Sequence, residues 1–330
     1  GFELGLFNNR IRLEGDFYDS QSIDLLLNVP VPTITGYSTQ MQNIGKVQNR
    51  GMEFTLNTKN LTGEFAWSSN FNISFNKNKV LEVGVDGRPI YGSAANANNA
   101  FITKPGYPIA SFYGYKYIGV FQSEEELAKY PHLSGDKVGD GRYEDVNKDG
   151  VLDQNDKTIL GDNNPLFTAG FSNSFSYKNF TLDIQFTGSY GAEVFSFYKR
   201  MCGIYHGDRN GMIEQLGRWQ SKDQPGDGIH FRPTRTPSGW QRDPSSAWVQ
   251  DASYLRLRNL TLGYNFDQKV LDKMKMKGLR LYVTGQNLFT ITNYVGYDPE
   301  TSSESGLAQG GDYLGYPAAR SFIIGANITF

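Results

Sequence analysis

The chain of 330 residues is poor in the side chains most often used for catalysis and cross-linking. Its one cysteine, Cys202, cannot form an internal disulfide, and it reads as a small buried or loop residue rather than a nucleophile. Its three histidines, His132, His206 and His230, lie far apart in sequence. Neither Gly-x-Ser-x-Gly nor His-Glu-x-x-His occurs, so the expectation is a protein that is not an enzyme. Excess charge is lacking too. A net charge of −2 gives nucleic acid nothing to bind. No run of about 18 apolar residues is present, which excludes a transmembrane helix. It does not exclude a β-barrel, whose strands alternate and so escape average hydropathy. The opening Gly1-Phe-Glu-Leu-Gly5 already lies inside a strand-like pattern and carries no signal peptide. The chain therefore reads as a piece of something longer.

Aromatic residues are abundant, with 20 Tyr and 22 Phe, and so is glycine, with 37. Aromatic girdles and sugar-binding surfaces both use such a composition, and many turns use the glycine. The last stretch organises the rest. Phe322, Ile324, Ala326, Ile328 and Phe330 share one face at period two, while Ser321, Ile323, Gly325, Asn327 and Thr329 share the other. A soluble sandwich could end this way, and so could an outer-membrane barrel. The strand 64–78 separates the two. It puts Phe65, Trp67, Ser69, Phe71, Ile73 and Phe75 on one face and small uncharged side chains on the other. A solvated outer face would carry Lys and Glu; a lumen would not.

Further strands are expected at 1–7, 10–20, 46–58, 166–177, 180–191, 251–266 and 278–291. Short turns (Asn8-Asn9, 60–63, Lys178-Asn179) alternate with long connections (25–45, 79–165, 192–250, 292–318), and the Lys-rich 267–277 is intermediate. This is the wiring of an antiparallel transmembrane β-barrel with short periplasmic turns and long extracellular loops. About nine membrane-length strands are expected; the alternation requires that 79–165 hold zero or two more, and zero is the preferred reading. About nine strands cannot close a bacterial single-chain barrel, so further strands are expected upstream.

Asp145-Val-Asn147-Lys-Asp149-Gly150-Val151-Leu-Asp153-Gln-Asn-Asp156 fits a twelve-residue EF-hand-like calcium loop. Asp145, Asn147 and Asp149 supply oxygens, Val151 a carbonyl, Asp153 a ligand through water, and Asp156 the last position. Asp156 reaches less far than the usual Glu, which leaves Mg2+ open beside Ca2+. The alternative is an Asp/Asn-rich solvated turn. Tyr205, Trp219, Trp240 and Tyr313 are candidate stacking surfaces for sugar rings, or loop packing. Arg232, Arg235 and Arg242 could meet an anion or simply solvate a loop, and the 269–277 lysines suit a solvated periplasmic turn.

Several phrases resemble the SusC/RagA family of TonB-dependent outer-membrane transporters of the Bacteroidota. They are Asn49-Arg-Gly-Met-Glu-Phe54, Tyr113-Gly-Tyr-Lys-Tyr-Ile-Gly-Val-Phe121, and Asp145–Asp156 followed by Ile159-Leu-Gly-Asp-Asn-Asn-Pro165. Further along come Asp251-Ala-Ser-Tyr-Leu-Arg-Leu-Arg-Asn-Leu-Thr-Leu-Gly-Tyr264, Gly285-Gln-Asn-Leu-Phe289 with Tyr297-Asp-Pro-Glu300, and Tyr316-Pro-Ala-Ala-Arg320. They run in family order along essentially the whole chain. The resemblance implies the C-terminal part of a 22-stranded barrel in the bacterial outer membrane, without its plug domain, TonB box and first strands. It also implies a SusD-like surface lipoprotein partner, TonB as energy source through the absent part, a dimer of such SusCD pairs, and import of oligosaccharide, glycan or peptide. The competing expectation is a secreted, calcium-stapled β-rich carbohydrate-binding module. A barrel enzyme would need a Ser/His pair, and no motif supplies one.

Overall fold

A computed structural model describes residues 1–30, 34, 36–37, 39–83, 87–94, 97–203, 210–233, 243–301 and 306–330. Nine antiparallel strands form one continuous wall: β1 (Phe2–Leu6), β2 (Ile11–Pro30), β3 (Thr39–Thr62), β4 (Phe65–Val83), β11 (Phe167–Tyr177), β12 (Phe180–Tyr190), β15 (Tyr254–Asn265), β16 (Gly278–Gln286) and β19 (Ser321–Thr329). Each pairs with the next in the chain, and the short β17 (Thr290–Thr292) adds to β15. β4 pairs directly with β11, so the long connection between them adds no wall strand, which decides for zero between the zero or two that the alternation of turns and loops allows.

The turns at one end are tight for local reasons. Phe7, Asn8 and Asn9 all hold positive φ (52°, 56° and 58°), and the Arg10 N–H donates to the Phe7 carbonyl at 3.2 Å. Asn tolerates that region better than most residues. At the other end the stretch 25–45 departs from the expected irregular loop. β2 and β3 stay paired as far as Pro30 opposite Thr39. Bulges at Ser22–Leu26, with Asp24 at φ 57°, break the alternation that a period-two reading depends on. Pro30 sits at the strand end, where a missing N–H costs little. The 267–277 connection is not a bare turn. It forms a helix, Gln268–Met274, that buries Leu271 and ends on Lys275 in the left-handed region.

The core lies outside the wall. The long connections fold together as a loop assembly with its own small sheets. β5 (Ile90–Ala94), β6 (Ala97–Thr103), β7 (Ser111–Gly114) and β10 (Thr158–Gly161) form one. β8 (Tyr117–Val120) pairs with β9 (Gly141–Tyr143), and β13 (Glu193–Ser196) joins β14 (Val249–Asp251) and β18 (Gly311–Asp312). Phe101, Phe112, Phe195, Phe197, Phe231 and Trp248 pack together there, all buried. A second cluster, Val47, Val80, Val83 and Ile90, joins the upper ends of β3 and β4 to this assembly, with Leu307 packed on it. Hydrophobic burial thus holds the loops. In the wall most apolar side chains remain uncovered, Phe17 at 63% and Ile324 at 84% exposed.

Candidate functional site

The wall has two faces of opposite chemistry, and strand register builds both. On the outer face Phe65, Tyr177, Phe180 and Tyr264 stand opposite one another across four strands. The rings of Phe180 and Tyr264 are 4.9 Å apart. At the other end Phe17, Met52 and Phe75 are cross-strand partners, and Phe75 continues to Phe167 (6.0 Å) and Tyr190 (5.4 Å). Between these rows run apolar ladders: Leu13, Leu56, Phe71, Phe171 and Phe186, and then Leu182, Leu262, Val283 and Ile324. β11 carries one residue of each aromatic row, Phe167 and Tyr177, at its two ends. Ten steps of about 3.3 Å separate them, roughly 33 Å along the strand. At the 35–45° tilt of a barrel strand that is about 25 Å of height, which is the height of a barrel's apolar band.

One polar group interrupts the band and is satisfied within it. Trp67 Nε1–H and the Ser69 hydroxyl donate to Asn173 Oδ1 at 2.9 and 2.7 Å, and Asn60 Nδ2 donates to Ser69 Oγ at 2.9 Å. In hydrocarbon such groups must find protein partners.

The inner face reverses the pattern. Arg12, Asn57, Asn70, Ser172, Gln185, Asn259, Gln286 and Ser321 are successive cross-strand partners over eight strands. Asn70 donates to Asn57 (2.6 Å), Asn259 to Gln185 (2.8 Å) and Gln286 to Asn259 (3.3 Å). A carboxamide both donates and accepts, so beyond Arg12, which is ion-paired with Glu3 and Glu14, this row offers uncharged hydrogen-bonding groups to whatever occupies the space it faces.

An ion cluster that motif reading missed fastens the last long loop to this face. Arg256 is buried (3% exposed) and its Nη2 lies 2.6 Å from Asp298 Oδ1. Arg256 also pairs with Glu300, as does Arg258, and the Tyr254 hydroxyl donates to Glu300 Oε1 at 2.6 Å. Thr290 Oγ1 accepts from Arg256 Nε at 2.8 Å. Burial opposes ionisation of Asp298. Hydrogen bonds from Arg256 and from the Ala318 and Glu300 backbone N–H groups outweigh it and hold its carboxyl below the usual carboxylate range. The signal was in the sequence: arginines at alternate positions of an apolar strand, and Asp-Pro-Glu far downstream.

The Asp145–Asp156 loop closes on its own backbone. Asp145 accepts from the Lys148 and Gly150 N–H groups (2.7 and 2.9 Å), Asn147 from Asp149 (2.9 Å), and Asp149 from Val151 (2.9 Å). Gly150 holds φ 85°, the turn conformation the motif requires. Asp156 is fully buried and is spent on the Val146 and Asp153 N–H groups at 2.9 and 2.8 Å. Among the described residues no group of three or more His, Cys, Asp or Glu side chains converges to hold a metal ion. The oxygen types and the turn fit a divalent cation, but the convergence does not.

The four aromatic candidates are not gathered into one site. Tyr205 and Trp240 lie outside the described residues, as do Arg235, Arg242 and His206. Trp219 is half-buried, and its ring lies where a Cβ on Gly139 would stand. Tyr313 is 55% exposed, with its ring edge-on to Phe197 at 6.3 Å. Arg232 is paired with the Asp140 carboxylate at 2.7 Å.

No family model matches the chain. TonB-dependent receptor P3 of Formosa agariphila is 36% identical over 342 residues, covering 100% of this chain and 33% of that protein. TonB-dependent receptor SusC of Bacteroides thetaiotaomicron is 29% identical over 341 residues, covering 100% of this chain and 31% of SusC. Among solved structures, a chain in the structure of the RagAB peptide transporter superposes with a TM-score of 0.81 at 24% identity, over 99% of this chain and 34% of that one. The chain thus spans about a third of the length of the relatives it matches.

Proposed function

We propose, for a chain that resembles SusC-type TonB-dependent receptors along its whole length, that it forms part of the barrel wall and the extracellular loops of an outer-membrane importer. In this reading the outer face meets lipid and the inner face lines a wet lumen. The carrying observation is the pair of aromatic rows about 25 Å apart in height, with apolar ladders between them and carboxamides behind. The segment is non-catalytic. Transport energy comes through TonB and the rest of the protein, and the substrate is an oligosaccharide, glycan or peptide. The loop assembly is the surface for a SusD-like lipoprotein, and two such pairs form the dimer. Of the two aromatic candidates among the described residues, Tyr313 keeps an exposed ring to offer a substrate. A secreted carbohydrate-binding module would have to leave the whole apolar band in water, which argues against that reading.

Phe171 and Ser172 are neighbours on opposite faces, so they test the wall directly. In full-length protein carrying Cys202→Ser, Ser172→Cys should react from the aqueous side with a charged thiol reagent, while Phe171→Cys should be protected in membranes. Equal labelling of both would overturn the barrel reading. We also propose that the Asp145–Asp156 loop holds Ca2+ or Mg2+ through Asp145, Asn147, Asp149, Asp153 and the Val151 carbonyl, with Asp156 released from its backbone contacts to join them. Chelator should then speed protease cleavage within 145–156, and re-added Ca2+ should slow it. Unchanged cleavage would leave the self-closed loop as the whole account.

A further inference from the structure

The groove at the upper edge of the apolar band combines two chemistries within one cross-strand step. Phe17, Met52 and Phe75 form the top row of the band on β2, β3 and β4. Two residues and about 7 Å further along each strand, the same face carries Asp19, Arg50 and Lys77. The next step carries Gln21, Gln48 and Lys79. Between these strands and the loop 162–166 lies a groove of about 720 Å³.

The charges in it are not balanced. Arg50 donates to Asp19 at 2.7 Å, and Gln48 donates to the other oxygen of Asp19 at 2.7 Å, so Asp19 is satisfied. Asp162, on the far wall, is turned to Asn164, whose backbone and side-chain nitrogens donate to it at 2.9 and 2.8 Å. Lys77 and Lys79 are exposed, and among the described residues neither makes a hydrogen bond or ion pair. Two unpaired ammonium groups thus stand directly above an apolar floor.

We propose that this groove binds a phosphorylated, anionic lipid of the outer leaflet. The phosphate oxygens accept from Lys77 and Lys79, and the first methylenes of the acyl chains lie on Phe17, Met52 and Phe75. A free phosphate would use the lysines but leave the apolar floor in water. A lipid uses both, in the vertical order in which they occur. This inference rests on the membrane reading of the wall and on its loops facing outwards.

The test uses the full-length receptor in detergent, stripped of lipid. Phosphatidylglycerol and phosphatidylcholine are titrated in mixed micelles, with inorganic phosphate as a third probe. The wild type should prefer phosphatidylglycerol. Lys77→Gln/Lys79→Gln should weaken that binding about 30-fold, at about 1 kcal/mol per basic side chain near an anionic lipid. Lys269→Gln/Lys273→Gln, at the opposite end of the wall, should leave it unchanged. Equal binding by the Lys77/Lys79 variant sinks the proposal, as does inorganic phosphate binding as tightly as the lipid. A receptor that needs no detergent at all would instead remove the barrel reading beneath it, so the two failures are distinct.

Discussion

Arg256 buries a guanidinium between Asp298 and Glu300 and so ties the loop 293–318 to β15. Removing one partner of a buried pair leaves the other uncompensated, at a cost of about 3–5 kcal/mol. Arg256→Met should therefore release the loop, seen as faster chymotrypsin cleavage after Tyr294 and Tyr297, while the wall stays folded. The pH dependence follows from Asp298. Its carboxyl is held below the usual value of about 3.9. Its contribution is therefore fully present above that value and is lost as pH falls through the lower, folded-state value. Loop protection should be flat from pH 8 to pH 5 and decline below about 4, as read by amide hydrogen exchange corrected for its intrinsic pH dependence. A decline already complete at pH 6 would point to another group. None of this was legible from motifs, because the partners lie 42 or more residues apart in sequence. The spacing of Asp145–Asp156 was legible, and Gly150 took the backbone conformation the motif demands. Spacing could not say that Asp156 would turn inward to its own loop's N–H groups.

At the scale of the strand, alternation placed nine wall strands and left zero or two in 79–165, where the structure has none. It worked because each central strand has a face that the opposite environment would punish. It failed at 25–45, where bulges shift the phase and strand pairing carries on without alternation. The same two-faced logic sets the cost of a charge. Phe171 lies near mid-height of the band, so Phe171→Lys should destabilise the membrane-inserted protein by about 2–4 kcal/mol. Ser172→Lys, facing the carboxamide row, should cost far less. Urea unfolding in lipid vesicles reads the difference. In a water-exposed sheet both substitutions would be nearly neutral, so a flat result would count against the lipid-facing assignment.

For the whole molecule, two kinds of folding physics sit side by side. The loop assembly has a packed aromatic core of the kind that stabilises a protein in water. The wall has none of its own, and its order comes from strand pairing and from an apolar band that water would not tolerate. Its path is also open: among the described residues β1 and β19 each have one paired neighbour. Every unpaired backbone N–H or C=O on such an edge costs several kcal/mol in a bilayer, which is why barrels close. The two parts should therefore separate when the 330-residue chain is produced alone. Refolded into vesicles, it should not gain the heat-sensitive gel mobility of a closed barrel, yet with Trp67, Trp219 and Trp240 replaced by Phe its fluorescence should still report a shielded Trp248, which is 2% exposed in the loop core. Supplying the remainder of the receptor in trans should restore the mobility shift if the missing pairing is what the wall lacks. A mobility shift from the chain alone would mean that β1 and β19 close on each other, making the segment a small barrel in its own right rather than an arc of a larger one.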